Sequence, residues 1–112
     1  MSRQNITLLS LSVLATTTVA TCRFVTYAGA QAGAAAAAMG VASFDAASGD
    51  TLTVDCLGTA VVEVGGAIAV GGAVESDSSG RAVAQNTGPA LGRALQASTA
   101  AGQLIEILLT PA

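Results

Sequence analysis

The sequence predicts an all-β fold, a small single-domain barrel or sandwich of short strands with an extended N-terminal arm and a duplicated hairpin. Three observations carry this. One passage occurs twice: Met39-Gly40-Val41-Ala42, a small-residue turn ending at Gly49 and Thr51-Leu52-Thr53-Val54, then Leu91-Gly92-Arg93-Ala94, a turn ending at Gly102 and Leu104-Ile105-Glu106-Ile107. Apolar residues alternate at period two in short runs bounded by Gly, Ser, Asn or Asp, as in strands with one dry face. Long helices are absent by pattern.

Residues 1–20 are read as an N-terminal arm or edge strand and residues 21–112 as the β domain. The run Ile6 to Ala15 follows Arg3 and precedes Thr18-Val19-Ala20, which has the form of a secretory signal. Val19-Ala20-Thr21-Cys22 even approaches a lipoprotein cleavage box. A secreted or lipid-anchored bacterial surface protein is therefore a competing reading. Against it, Ser10 and Ser12 break the run. Its apolar residues also alternate, Ile6 and Leu8 on one face and Leu9, Leu11 and Val13 on the other after a one-residue shift. That favours an extended strand, too short to span a membrane, which takes about 20 apolar residues.

Arg23 to Tyr27 is β-branched and aromatic, a strand ending at Gly29. Ala34 to Ala38 is five alanines, which propensity alone would make helical. So short a helix is unstable by itself, so the stretch is expected to be loop leading into strand, with a single helical turn as the alternative. Met39 to Phe44 is the next strand and Asp45 to Asp50 its turn, with Gly49 free to take positive φ. Thr51 to Cys56 alternates Thr51, Thr53 and Asp55 against Leu52, Val54 and Cys56. Leu57-Gly58 is expected to break that strand, and Thr59 to Val64 to continue it with Glu63 outward, up to Gly65-Gly66. After Ala67 to Val70 and Gly71-Gly72, Ala73 to Glu75 leads into the turn Ser76-Asp77-Ser78-Ser79-Gly80, and Arg81 to Gln85 returns. Pro89, in the turn Asn86-Thr87-Gly88-Pro89, forbids a central-strand hydrogen bond. Leu91 to Gln96 and Gln103 to Leu109 close the domain as a hairpin. About seven to nine strands so spaced fit a small barrel or sandwich.

The chain has 112 residues, room for one domain with a thin core of Val, Leu, Ile and Ala, since Phe24, Tyr27 and Phe44 are its only aromatics. It is 52% hydrophobic and 10% charged, against about a quarter charged in an ordinary soluble domain. A surface so poor in charge is expected to be covered by further copies or by a partner. Net charge is −3, and the four basic residues Arg3, Arg23, Arg81 and Arg93 are scattered. Nucleic-acid binding needs clustered basic residues and often stacking aromatics, so it is rejected.

The catalytic vocabulary is also short. Without His there is no imidazole base, Ser-His triad or His metal site. Without Lys there is no P-loop lysine, Schiff base or isopeptide crosslink. Gly65-Gly66 and Gly71-Gly72 read as turn glycines. Asp45, Asp50 and Asp55 lack the alternate spacing of a calcium loop and read as solvated turn and edge charges. Cys22 and Cys56 have no metal-ligand spacing; they are expected to be half-buried thiols, with a disulfide if the fold brings them together. No enzyme activity, cofactor, metal or membrane association is expected.

An ordered set of motifs carries a family likeness. It comprises Met39-Gly40-Val41-Ala42, Ala46-Ala47-Ser48-Gly49-Asp50, Leu57-Gly58-Thr59-Ala60-Val61-Val62-Glu63-Val64 and Ala69 to Val74. Ser76-Asp77-Ser78-Ser79-Gly80-Arg81-Ala82, Leu91-Gly92-Arg93-Ala94-Leu95, Ala100-Ala101-Gly102 and the end Pro111-Ala112 complete it. In this order the chain resembles the small capsid decoration, or cement, proteins of tailed phages. The stretch before Cys22 matches less well. The resemblance implies a β-rich structural protein, made in the host cytoplasm, that binds the major capsid protein on the outer surface of the head. It implies homotrimers at local threefold positions and no active site. Another virion component, such as a head-fibre base, is a further alternative. Residues 2–14 are expected to lie along the shell or a neighbouring subunit, pairing as an added strand, with Ile6, Leu8, Leu9, Leu11 and Val13 as the contact residues.

Overall fold

The computed structural model describes residues 6–110; Arg3 and Pro111-Ala112, used above, lie outside the described residues. Eight strands form among the described residues: β1 (Thr7–Leu14), β2 (Phe24–Val25), β3 (Gly40–Ala42), β4 (Thr51–Glu63), β5 (Ala73–Ser76), β6 (Ala82–Ala84), β7 (Gly92–Ala94) and β8 (Leu104–Leu109). They pair in the order β2-β3-β4-β8-β7-β5-β6, with β1 on β4 off that path. Every ladder is antiparallel. A parallel bridge from Val64 to Ala82, with the Gly65 amide donating to the Ala82 carbonyl, nearly closes the sheet into a barrel. The all-β architecture and its duplicated hairpin match the sequence reading.

Leu57-Gly58 and Asp55 depart from expectation. Leu57-Gly58 does not break the strand, since β4 runs unbroken for 13 residues. Gly58 takes φ +100°, and a Cβ there would strike the Ile6 carbonyl oxygen. The glycine bends the strand: its first half pairs β1 and β3, its second half β8. Asp55, read as solvated, is only 5% exposed and accepts hydrogen bonds from Ser10 Oγ (3.0 Å) and Ser43 Oγ (3.1 Å). Two hydroxyls compensate a carboxylate withdrawn from water. The five alanines are loop with a turn, Ala35 lying at φ 56° and its amide donating to the Ser76 carbonyl.

The repeat is larger than the sequence pattern suggests. β3 and β4 pair Ala42 with Val54, and β7 and β8 pair Ala94 with Ile107. The Cys22 amide donates to Ala42 and the Gly71 amide to Ala94. The isolated bridge Val19–Ala46 recurs as Ile68–Ser98. β1 on the first half of β4 (Val13 opposite Leu52) recurs as the second half of β4 on β8 (Val62 opposite Ile105). The chain is thus two modules that share β4, last strand of one and first of the next. Arg81 corresponds to Ala30, since the Thr26 amide donates to the Ala30 carbonyl as the Asp77 amide does to that of Arg81.

The buried residues follow this repeat. One core contains Ala15, Val19, Val25, Met39, Ala42, Leu52, Val54 and Cys56. The other contains their counterparts in the same order: Val64, Ile68, Val74, Leu91, Ala94, Ile105, Ile107 and Leu109. The second core also takes Phe24, Ala32, Ala38 and Val41 from the first module. Strand alternation explains this, because Val25 and Ala42 face their own core while Phe24 and Val41 face the other way.

Candidate interaction surface

β1, from Thr7 to Leu14, is a strand on the chain's own sheet and, among the described strands, pairs with β4 alone. The one-residue shift in its apolar pattern is a β-bulge. Thr7 stands opposite Gly58, Leu9 opposite Leu57 and Ser10 opposite Asp55. Its start is tied down by the Ile6 amide donating to Thr59 Oγ1 at 2.8 Å and the Thr59 amide donating to the Ile6 carbonyl at 2.8 Å.

No residue from Ile6 to Leu14 carries charge, yet the strand is wet on most of its length. Leu8 is 78% exposed, Leu14 62%, Ile6 54%, Leu11 45% and Leu9 41%, while Val13 is half-buried against the first core. An uncharged, Pro-free edge strand bearing leucines is the kind of surface that natural sheets avoid unless something covers it.

Beside β1 lies a groove of about 250 Å³ lined by Leu9, Leu11, Tyr27, Met39, Cys56 and Leu57. Of the five residues picked out from sequence, Leu9 and Leu11 enter it, Ile6 and Leu8 stand on the exposed start of the strand, and Val13 turns inward. Tyr27, Met39, Cys56 and Leu57 were missed. The signal that could have found Met39 and Cys56 is the repeat, because they match Leu91 and Leu109 at the mouth of the second core. Burial pushes the Cys56 thiol above its ordinary pKa; a hydrogen bond from the Leu11 backbone opposes this and the nearby Asp55 charge adds to it. Both cysteines are free thiols.

A polar cluster fixes the two modules to each other. Arg23 Nη1 donates to the Ser79 carbonyl at 2.8 Å and Nη2 pairs with Glu63 at 3.2 Å. Arg81 reaches Glu63 at 3.9 Å and Asp77 at 3.1 Å. Asp77 also accepts the Ser79 and Arg81 amides, shaping its turn. Glu63 is therefore an internal tie and not an outward charge. Buried Glu75 accepts the Asn86 and Gly88 amides at 2.5 and 3.0 Å, holding the loop before Pro89. Among the described residues no three His, Cys, Asp or Glu side chains group to hold a metal.

A profile of phage cement proteins matches residues 3–109. The chain belongs to the phage cement protein family. A comparison with curated proteins finds no significant match. Among solved structures, the fold is similar to the N-terminal base of the head fibre protein gp8.5 of bacteriophage phi29. The two share 22% identity at a TM-score of 0.75 over 91% of this chain and 93% of that one. The family match makes this a structural phage protein, and the head-fibre neighbour shares its fold.

Proposed function

We propose that this cement protein binds the major capsid protein on the exterior of the assembled head, as homotrimers at local threefold positions, and stabilises the lattice. The observation that carries the reading is the exposed, uncharged β1 strand in a member of the cement family. Ile6, Leu8, Leu9, Leu11 and Val13 supply the contact, with Val13 setting the strand on its own core. The mechanism is linkage. A protein that binds the lattice and not the separated subunits stabilises the lattice by its binding free energy, and bridging several subunits adds avidity. No reaction is involved.

The test mixes purified protein with undecorated heads and images them. Density capping the threefold positions supports the reading; bare heads at saturating protein refute it. Sedimentation of the free protein reads the trimer. The likeness to a head-fibre base favours a second reading, in which the domain seats a projecting fibre. The same images separate the two, as a low knob or as a stalk rising from each site.

A further inference from the structure

We propose that the groove beside β1 seats an extended, uncharged segment of the capsid subunit, which lies along the open edge of β1 and puts one large apolar side chain between Leu11 and Met39. This rests on the cement reading and names the partner feature that the surface takes.

The internal repeat shows what such an occupant looks like. Leu11 and Val13 in the first module match Ala60 and Val62 in the second, because Leu11 pairs with Val54 as Ala60 pairs with Ile107. Ala60 and Val62 are 1% and 0% exposed, in one core with Phe24, Val41, Ala32 and Ala38 of the module before them. At the matching place on β1, Leu11 is 45% exposed. The plug inside the chain is one aromatic ring among small side chains, without charge. The groove likewise has no charged lining residue.

Backbone edges repeat as well. The Glu63 amide on the second half of β4 donates to the Cys22 carbonyl at 2.9 Å. Its counterpart on β1 is Leu14. The Ala15 amide donates to the Asp50 carbonyl, so the antiparallel alternation turns the amides of Ser10, Ser12 and Leu14 away from β4. Gly29 packs against the Leu14 carbonyl on that side, so the Ser10 and Ser12 amides are the ones to which an incoming strand can bond.

A second copy of the chain fits poorly. In a head-to-tail stack, the face presented to the groove would be the second module's counterpart of Phe24 and Val41. Phe24 pairs with Val41 on β2–β3, and the matching pair on β5–β7 is Ala73 with Arg93. The ring is missing and a guanidinium stands in the contact.

The experiment titrates wild type, Leu11→Asp and the control Val70→Asp onto undecorated heads and reads bound protein by co-sedimentation. Val70 is exposed and outside the groove. Leu11→Asp is expected to weaken binding at least tenfold and Val70→Asp less than twofold. A photocrosslinking residue at Leu9 is expected to capture the capsid subunit. If Leu11→Asp decorates heads as wild type does, the groove is not the seat, although the cement reading stands. If wild type itself never decorates heads, that reading fails first. A Leu9 crosslink to another copy of this chain, or dissociation of the free oligomer by Leu11→Asp, makes the occupant a second copy and overturns the inference.

Discussion

Gly58 and Gly49 separate two costs that usually arrive together. Both hold positive φ, +100° and +94°. A Cβ at Gly49 would meet nothing within 4 Å, whereas one at Gly58 would collide with the Ile6 carbonyl oxygen. Alanine at Gly49 therefore carries only the left-handed backbone cost, about 1–2 kcal/mol, less a few tenths to 1 kcal/mol gained from a stiffer unfolded chain. Alanine at Gly58 carries the same and must also move backbone, which no rotamer change can relieve. The start of β1 shifts, and the two bonds between Ile6 and Thr59 are lost, at about 1 kcal/mol each. Gly49→Ala should destabilise by about 1 kcal/mol and Gly58→Ala by about 3 kcal/mol, a large share of a total near 5–15 kcal/mol. Urea unfolding at equal m-values reads both as midpoint shifts. If Gly58→Ala costs no more than Gly49→Ala, β1 does not grip β4 at this point and the bend is not made by the glycine.

Other consequences are checked in the same way. A double-mutant cycle on Arg23→Met and Glu63→Gln should give a coupling of about 1 kcal/mol that shrinks in high salt, the pair being only partly shielded; zero coupling would mean that this ion pair does not help to hold the modules together. Ile107→Ala, at a side chain with no exposed surface, should cost about 2–5 kcal/mol in denaturant unfolding. The raised Cys56 pKa means that the folded state keeps a proton which the unfolded chain releases, so stability should fall as pH rises through the alkaline range. Cys56→Val should flatten that fall, and parallel pH profiles would count against it.

Much of the strand plan is written in local pattern. Period-two runs and turn residues locate β3 to β8 within a few residues, and the doubled passage marks the two hairpins. What local pattern could not carry is the role of β4. Leu57-Gly58 has the composition of a stop, yet a glycine at positive φ inside a strand bends it and lets β1 approach. Asp55 likewise looks solvated until the fold brings Ser10 and Ser43 to it from two other elements. The exposed leucines of β1 were visible as a candidate contact. Their groove was not, because Tyr27 reaches it only through tertiary placement and Met39 and Cys56 are marked only by the repeat.

Sharing β4 leaves the two modules unequal, and the sequence differs at the matching positions accordingly. Gly58 and Ala60 are small where the preceding module comes close. Their counterparts on β1, Leu9 and Leu11, are large and wet. For an isolated monomer, serine at Leu11 would serve the fold about as well, since an exposed side chain contributes little to stability. Leu11→Ser should therefore change the unfolding free energy by no more than about 0.5 kcal/mol, while it weakens attachment to heads. Loss of more than about 1 kcal/mol would make Leu11 a residue of the fold, and its exposure would then say nothing about a partner. A small stability change with a large loss of attachment is the signature of a leucine kept for the covered state.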